Sequence, residues 1–230
     1  MKINLLIESF KSNNSDREKE YITCLKENIK NVEIDEIHIF NNNIDFVNKL
    51  IEENDKIISI ENTNRMTYKD FFDYSNEYLK DEISIIANAD IIIEESIKYI
   101  RDIKIENFFL CLTRYDIQKN GTTTYPPNHF GTQDTWIYKA PIISKNSDFY
   151  LGRLGCDNRI PYIMEQNGYK VSNPSKQIIT KHLHLTGYRT YNKSNIIMGE
   201  YIYMVPTGDI NILSKKRYVY NDNGIIKYLK

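Results

Sequence analysis

The segment Ile85-Ile86-Ala87-Asn88-Ala89-Asp90 is a short apolar run that ends in polar side chains. Short apolar runs bounded by polar residues are typical of strands buried on both faces of a parallel sheet. Ligands of such sheets bind outside the carboxyl ends of the strands. The segment therefore predicts a central strand over Ile83–Ala87 with a polar site at its end.

Apolar strands alternate with polar helices on the amino-terminal side of this segment. Asn14 or Ser15 is available to cap the first helix, and Thr67 with Asp70 has the pattern of a capping box for the third. The predicted strands are Ile3–Ile7, Ile34–Phe40 and Lys56–Ile60, and the predicted helices are Ser15–Asn28, Asp45–Glu53 and Thr67–Leu79.

This alternation predicts an α/β fold with a Rossmann-like, mainly parallel central sheet and helices on both faces. It also predicts that Glu8, Glu61 and Asn88-Ala89-Asp90 lie at the same edge of the sheet, where the strands end. The second half of the chain is richer in loops, with a predicted loop over Gln118–Gln133. Its predicted elements are strands at Phe108–Arg114, Trp136–Tyr138 and Gln177–Leu185, a helix at Asp157–Asn167, and a hairpin turn at Asn221–Gly224.

Composition indicates a single soluble globular domain. The 230 residues are 41% hydrophobic and 27% charged, with a formal net charge of -1 and no basic stripe, so nucleic acid is not an expected partner. Cys24, Cys111 and Cys156 form no Cys-x-x-Cys pair, which fits a reducing compartment. The apolar run after Met1 is too short for a signal peptide, and no run is long enough to cross a bilayer. We expect a cytoplasmic protein, in the host cytoplasm if the chain is viral.

Two polar pairs could hold Mn²⁺ or Mg²⁺. Asn88 and Asp90 follow a strand at positions i and i+2, and oxygen ligands there can hold a cation that bridges a diphosphate. His182 and His184 alternate on a predicted strand, so they would share a face, and imidazole suits Mn²⁺. The alternative interpretation is a turn or helix cap for the first pair and hydrogen-bonded histidines for the second.

The segment Asp148-Phe149-Tyr150-Leu151-Gly152-Arg153-Leu154-Gly155-Cys156-Asp157-Asn158-Arg159 ends a loop and opens a predicted helix. Asp157 could be the N-cap of that helix, or a base directed at a hydroxyl group. Asp134 raises a similar question, because it stands beside Trp136, the only tryptophan, which could stack on a sugar or belong to the core.

These residues also resemble a known family. The quoted motifs occur in the order found in GT-A-like glycosyltransferases of bacteria, some eukaryotes and large DNA viruses, and the resemblance spans roughly residues 1 to 190. The motifs that carry it are Ile85-Ile86-Ala87-Asn88-Ala89-Asp90-Ile91, Leu112-Thr113-Arg114-Tyr115-Asp116, Gln133-Asp134-Thr135-Trp136-Ile137-Tyr138, Leu154-Gly155-Cys156-Asp157-Asn158-Arg159-Ile160, Gly168-Tyr169-Lys170-Val171-Ser172-Asn173-Pro174 and His182-Leu183-His184.

The resemblance implies a nucleotide-diphosphate sugar donor, a glycan or glycoconjugate acceptor and a role in glycan biosynthesis. The family's metal-binding Asp-x-Asp maps onto Asn88 and Asp90, where the first residue departs from the motif, and its late histidine maps onto His182 or His184. The acceptor-side acid maps onto Asp157, with Asp134 behind it, and a base there would favour inversion.

The resemblance also divides the single domain, residues 1–230, into functional parts. We expect a donor-binding half over about 1–115, an acceptor half over about 116–190 and a tail with a hairpin over 191–230. The donor's base and ribose are expected near Glu8, Ser9, Glu61 and Arg65.

Two other functions stay open at this point. One is a glycosyltransferase-like domain that binds nucleotide or glycan without turnover. The other is a metal-dependent nucleotidyltransferase, which also uses a parallel sheet and carboxylate-bound metal. The absence of an early Gly-rich phosphate loop argues against P-loop and dinucleotide-binding enzymes.

Overall fold

The first half of the chain forms the predicted alternation of strands and helices. The computed structural model describes residues 1–41, 49, 54–127, 129–188 and 195–228, and the predicted helix Asp45–Glu53 falls outside those ranges except for Lys49. The elements of this half are β1 (Ile3–Ser9), α1 (Ser15–Lys30), β2 (Glu36–Asn41), β3 (Ile57–Glu61), α2 (Tyr68–Tyr78) and β4 (Ile83–Ala87).

Local capping chemistry fixes where two of these helices begin. Asn14 caps α1, since its side chain accepts hydrogen bonds from the N–H groups of Asp16 and Arg17. Thr67 and Asp70 form the predicted capping box of α2. Both helix starts therefore follow from sequence-local hydrogen bonding.

The second half is built from shorter strands. Its elements are β5 (Ile91–Ile93), a 3₁₀ helix (Glu95–Asp102), β6 (Phe108–Thr113), β7 (Tyr115–Ile117), β8 (Thr123–Thr124), β9 (Gln133–Lys139), α3 (Cys156–Gln166), β10 (Lys170–Ser172), β11 (Thr180–His182), β12 (Gly199–Met204), β13 (Lys216–Asp222) and β14 (Ile225–Tyr228).

A seven-stranded sheet forms the centre of the fold, in the order β10-β6-β9-β4-β1-β2-β3. Strands β1 to β4 are parallel, and β10 is parallel to β6. Strand β9 runs antiparallel between β4 and β6. The predicted mainly parallel α/β sheet is confirmed, and the reversed strand β9 brings its amino-terminal end to the edge where its neighbours end.

Both faces of this sheet are buried, as the apolar strands predict. Successive strand residues point to opposite faces, so Leu5 and Ile85 belong to one buried cluster while Leu6 and Ile86 belong to the other. Trp136 is fully buried in the second cluster, edge-on to the ring of Tyr68. Trp136 is therefore a core residue, and the sugar-stacking alternative is wrong.

Three predicted boundaries in the second half are wrong. The predicted strand Trp136–Tyr138 is part of a longer strand, β9, because the flanking residues also pair in the sheet. The predicted loop Gln118–Gln133 contains β8, which pairs with β7. The predicted strand Gln177–Leu185 is limited to β11. Beyond it, the backbone N–H groups of Leu185 and Thr186 donate to the carboxylate of Glu20 instead of pairing in the sheet.

The carboxyl-terminal part, expected to be a tail with a hairpin, forms a separate small sheet. Strands β12, β13 and β14 make a three-stranded antiparallel sheet. The predicted hairpin turn is confirmed between β13 and β14, where Asn223 and Gly224 have φ values of 48° and 90°. Arg159 of α3 forms an ion pair with Glu200 of β12, so this sheet supports the helix that follows Gly155.

Candidate functional site

The site lies at the edge where the central strands end. Asn88 and Asp90 follow β4, Arg114 follows β6, and Asp134 lies near the start of β9. Because β9 is antiparallel, its start meets the ends of β4 and β6, and the N–H of Asn88 donates to the carbonyl of Asp134 at 3.3 Å. Glu8 in β1 reaches the same edge. A cavity of about 390 Å³ opens there, and these five side chains line it.

His182 is held between two carboxylates by a second, smaller sheet. In that sheet β11 pairs with β5 on one side and with β7 on the other, and the register places His182 opposite Ile91 and Asp116. Its Nε2 lies 3.1 Å from Asp90 Oδ2, and its Nδ1 lies 2.8 Å from Asp116 Oδ1. The sheet pairing therefore fixes both the position and the orientation of the imidazole.

A buried arginine from α1 completes this side of the cavity. Arg17 forms ion pairs with Asp90 and, at 2.7 Å, with Glu20. Glu20 in turn accepts hydrogen bonds from the N–H groups of Leu185 and Thr186 at 2.7 and 2.9 Å. Helix α1 thus ties Asp90 to the loop that carries His184.

Opposite charges hold this cluster in its ionised form. Burial opposes ionisation of Asp90, but the neighbouring charges of His182 and Arg17 hold the pKa of this carboxyl well below its usual range. Burial likewise opposes protonation of His182, but Asp90 and Asp116 raise the pKa of the imidazole to about 9. Without a bound cation the two groups form a charged pair at neutral pH, and a cation bound to His182 would replace a ring proton.

Asp90, His182 and His184 could hold a metal ion. Each offers one ligand atom, and these atoms lie within 4.8 Å of one another. Asp90 Oδ1 is buried and finds no hydrogen-bond partner among the described residues, and it could instead coordinate a bound cation. Asp116 behind His182 provides the carboxylate that commonly orients a metal-binding histidine. These residues therefore fit a divalent cation.

The two predicted histidines lie close together, but not because they alternate on one strand as expected. His184 lies beyond the end of β11, so the two histidines do not share a strand face by alternation. Their rings still meet edge to face with centroids 5.4 Å apart, and His184 Nε2 lies 3.0 Å from the carbonyl of Tyr188. Asn88 lines the same cavity, but its Nδ2 donates to Asp134 Oδ1 at 2.6 Å.

Asp157 lies in the same cavity in a different electrostatic environment. Burial and the nearby charge of Asp134 raise the pKa of Asp157 to about 7, although the thiol of Cys156 donates to its Oδ1 at 3.0 Å. Asp134 is committed to other partners, because its two oxygens accept from Asn88 and Arg114. Asp157 can therefore exchange a proton near neutral pH.

The N-cap interpretation of Asp157 is wrong. Helix α3 begins at Cys156, and its N-cap is Gly155, with φ of 87° and no side-chain capping bond. A Cβ at Gly155 would lie 1.8 Å from Tyr201 Oη, so the close approach of β12 requires glycine here. Asp157 is left in the first helical turn, where a negative charge is favoured by the helix dipole.

The residues predicted to bind the nucleotide are only partly brought together. Glu8 and Arg65 line the cavity, whereas Ser9 and Glu61 are not among its lining residues. Burial raises the pKa of Glu8, although its carboxylate accepts from the N–H of Met66 at 2.9 Å and lies near Arg65. Arg65 donates to the carbonyl of Leu151 at 2.6 Å.

Sequence reasoning did not identify Arg17 and Glu20 as site residues. It quoted Asp116 only as part of a motif. A signal for the first two exists in α1, where the buried residues Arg17, Glu20, Cys24 and Asn28 fall on one helical face. Charged residues in such a stripe indicate a buried ion pair with a partner elsewhere.

Neither a protein-family model nor a curated protein matches the sequence. Among solved structures, mannosyltransferase PcManGT from Pyrobaculum calidifontis, in complex with GDP-Man and Mn²⁺, matches with a TM-score of 0.53 at 12% identity, over 83% of this chain and 58% of that chain. GalNAc-T7 with UDP, GalNAc and Mn²⁺ matches with a TM-score of 0.54 at 10% identity, over 83% of this chain and 45% of that chain. TarS from S. aureus matches with a TM-score of 0.50 at 14% identity, over 80% of this chain and 60% of that chain.

This chain spans less than two thirds of the length of each of these three proteins. In the part of the chain that the structure describes, no helix is both long enough and apolar enough to cross a membrane. What the chain shares with these structures is the mixed α/β fold. The chain therefore has a GT-A-like fold.

Proposed function

We propose that this protein transfers a sugar from a nucleotide-diphosphate donor to a hydroxyl group of a glycan or glycoconjugate, with the help of a divalent cation. The observation that carries the proposal is one cavity with two aspartates of opposite character. Asp90 is held ionised beside two histidines, and the pKa of Asp157 is raised to about 7. Such a separation is how enzymes assign different roles to two carboxylates.

Asp90, His182 and His184 would hold the cation. When bound, it would neutralise negative charge on the departing diphosphate. One carboxylate and two imidazoles favour Mn²⁺ over Mg²⁺, which prefers oxygen ligands and water. Asn88 lies at the same strand end, and its amide oxygen is a further possible ligand.

Asp157 would act as the general base. Its carboxylate takes the proton of the acceptor hydroxyl as that oxygen attacks the anomeric carbon of the donor sugar. The bond between this carbon and the diphosphate breaks, and the electron pair leaves with the diphosphate. This single displacement inverts the configuration. A positioned base of this kind typically contributes about 10² to 10⁴ in rate.

Asp134 would act as a positioning residue. It holds Arg114 and Asn88 by its two oxygens, and its charge raises the pKa of Asp157. The donor's base and ribose would lie towards Glu8 and Arg65, which line the cavity. Ser9 ends the same strand as Glu8, and Glu61 ends β3, at the same edge of the sheet.

The test is a panel of nucleotide sugars with Mn²⁺ or Mg²⁺. Binding is found first by thermal shift, since a ligand at 100 times its Kd stabilises the folded state by about 2.7 kcal/mol. Release of nucleoside diphosphate from one donor, increased by glycan acceptors and lost in Asp157→Asn, is the expected result. Binding without turnover would favour a non-catalytic domain. Pyrophosphate release from a nucleoside triphosphate and a sugar phosphate would favour a nucleotidyltransferase.

A further inference from the structure

Four arginines line the cavity, and the structure neutralises only two of them. Arg17 pairs with Asp90, and Arg114 pairs with Asp116 and Asp134. Arg65 and Arg153 line the same cavity but form no ion pair with a carboxylate among the described residues. A positive region therefore remains in the cavity, separate from the cluster around Asp90.

Arg65 and Arg153 meet at one aromatic ring. Their guanidinium carbons lie 5.5 and 5.3 Å from the ring centroid of Tyr150. Stacking on an aromatic ring stabilises each cation modestly, but it neutralises neither positive charge. Arg153 Nε is also buried with no hydrogen-bond partner among the described residues. Both guanidinium groups therefore face the cavity beside Tyr150 with donor capacity that a phosphate group could use.

The backbone around the two arginines is fixed. The N–H of Tyr68 donates to the carbonyl of Phe149 at 3.1 Å, and Thr67 forms a β-bridge with Tyr150. Arg65 itself donates to the carbonyl of Leu151 at 2.6 Å. The start of α2 therefore holds the segment that carries Arg153, so the site is preorganised.

Gly152 places this arginine pair beside the strand-end site. Its φ is 70°, and a Cβ there would stand 3.4 Å from Arg65 Nη2 and 3.9 Å from Asn88 Oδ1. The positive region thus adjoins Asn88, two residues from Asp90. An anion bound to the arginines would therefore lie close to a ligand bound beside Asn88 at the end of β4.

We propose that Arg65 and Arg153 form a second anion subsite, which binds phosphate oxygens without help from the metal. The planar guanidinium group suits phosphate because it can donate two parallel hydrogen bonds. Glu8 is near enough to Arg65 for their charges to interact, but the described residues show no ion pair between them, and Glu8 Oε1 accepts from the N–H of Met66. The inference deepens the proposed function. It rests on that function for the source of the phosphate, which is either the donor diphosphate or an anionic acceptor.

The test is a calorimetric titration of inorganic pyrophosphate into the metal-free protein in EDTA. We expect the wild type to bind and Arg153→Gln to bind at least about tenfold more weakly, as expected for the loss of a charge-assisted hydrogen bond. Arg217→Gln is the matched control, because Arg217 also lies over a tyrosine ring, 5.6 Å from the centroid of Tyr228, but does not line the cavity. This control should bind as the wild type does.

Absence of binding by the wild type would overturn the proposal, and so would equal binding by Arg153→Gln and the wild type. Melting temperatures confirm that each variant is folded. Arg153→Lys keeps the positive charge but loses the planar guanidinium group, so it should give an intermediate affinity. The experiment contains no donor, acceptor or metal, so its outcome is independent of whether the protein transfers a sugar.

Two further titrations identify the source of the phosphate. Nucleoside diphosphates and the matching nucleosides are titrated into wild type and Arg153→Gln with Mn²⁺ present. A loss confined to the diphosphates assigns the subsite to the donor. Unchanged diphosphate binding, with weakened pyrophosphate binding, assigns it to an anionic acceptor.

Discussion

Asp90 and Asp157 line one cavity, but their surroundings shift their protonation in opposite directions. Burial disfavours the charge on both. For Asp90 the charges of His182 and Arg17 outweigh burial and lower its pKa. For Asp157 the charge of Asp134 acts with burial and raises its pKa to about 7. The chemistry of each carboxylate is set by its neighbours rather than by its residue type.

This difference separates two tasks that a sugar transfer requires. A carboxylate that stays ionised is suited to hold a cation throughout the reaction. A carboxylate with a pKa near the working pH is suited to take a proton during it. The predictions below test whether the two aspartates divide the work in this way.

The largest effect is expected for Asp157→Asn. Transfer should fall at least about a hundredfold, because the amide cannot take a proton. The stability of the folded variant, by contrast, should increase above neutral pH. The folded-state pKa of Asp157 lies above that of the unfolded chain, so its ionisation destabilises the fold as pH rises through about 4 to 7. The melting temperature of the variant at about pH 8 should therefore exceed that of the wild type.

Asp148→Asn is the matched control for this variant, because Asp148 is an exposed acid in the same segment and does not line the cavity. It should leave transfer and melting temperature unchanged. Near-normal transfer by Asp157→Asn would give the base role to Asp134 or Asp116, or would favour a mechanism without a protein base.

The pH profile should show the same division with a smaller effect. Below about pH 7 Asp157 is increasingly protonated, so the transfer rate should fall up to tenfold per pH unit. The residual rate of Asp157→Asn should lack this dependence. A wild-type rate that is constant between about pH 5 and 7, measured at saturating donor and acceptor, would mean that no base with a pKa near 7 is used.

The smallest effect is expected for Arg65→Ala. Arg65 lines the cavity near Glu8 and Leu151, on the side where the nucleotide is expected. Loss of its guanidinium should weaken donor binding by more than about twofold, measured by calorimetry, with Arg217→Ala as the control. An affinity within twofold of the wild type would remove Arg65 from the donor site.

The parts of the fold that follow from local patterns could be predicted from the sequence. The apolar strands that begin at Ile3 and Ile83 and the capping box at Thr67 depend on residues close in the chain. The position of Asp90 at a strand end follows from the same pattern, since the edge of a parallel sheet is where its strands finish.

The electrostatics of the site could not be predicted, because they depend on residues far apart in the chain. Arg17 lies in α1, Asp90 follows β4 and His182 ends β11, and only the assembled sheets bring them into contact. The boundary at Asp157 was missed for a similar reason. The N-cap is Gly155, which has no capping side chain, and the contact with Tyr201 of β12 that excludes a Cβ there has no local signal.

The most direct test of this division is one calorimetric comparison. A nucleoside diphosphate that the wild type binds is titrated, with and without Mn²⁺, into Asp90→Asn and Asp157→Asn. Because Asp90 also balances the buried charge of Arg17, melting temperatures confirm folding, and His184→Gln serves as a second variant of the same cluster.

We predict that Asp90→Asn and His184→Gln lose the Mn²⁺-dependent part of the binding, while Asp157→Asn binds as the wild type does. Unchanged Mn²⁺-dependent binding in Asp90→Asn, or its loss in Asp157→Asn, would contradict the division between a carboxylate that holds the cation and a carboxylate that takes the proton.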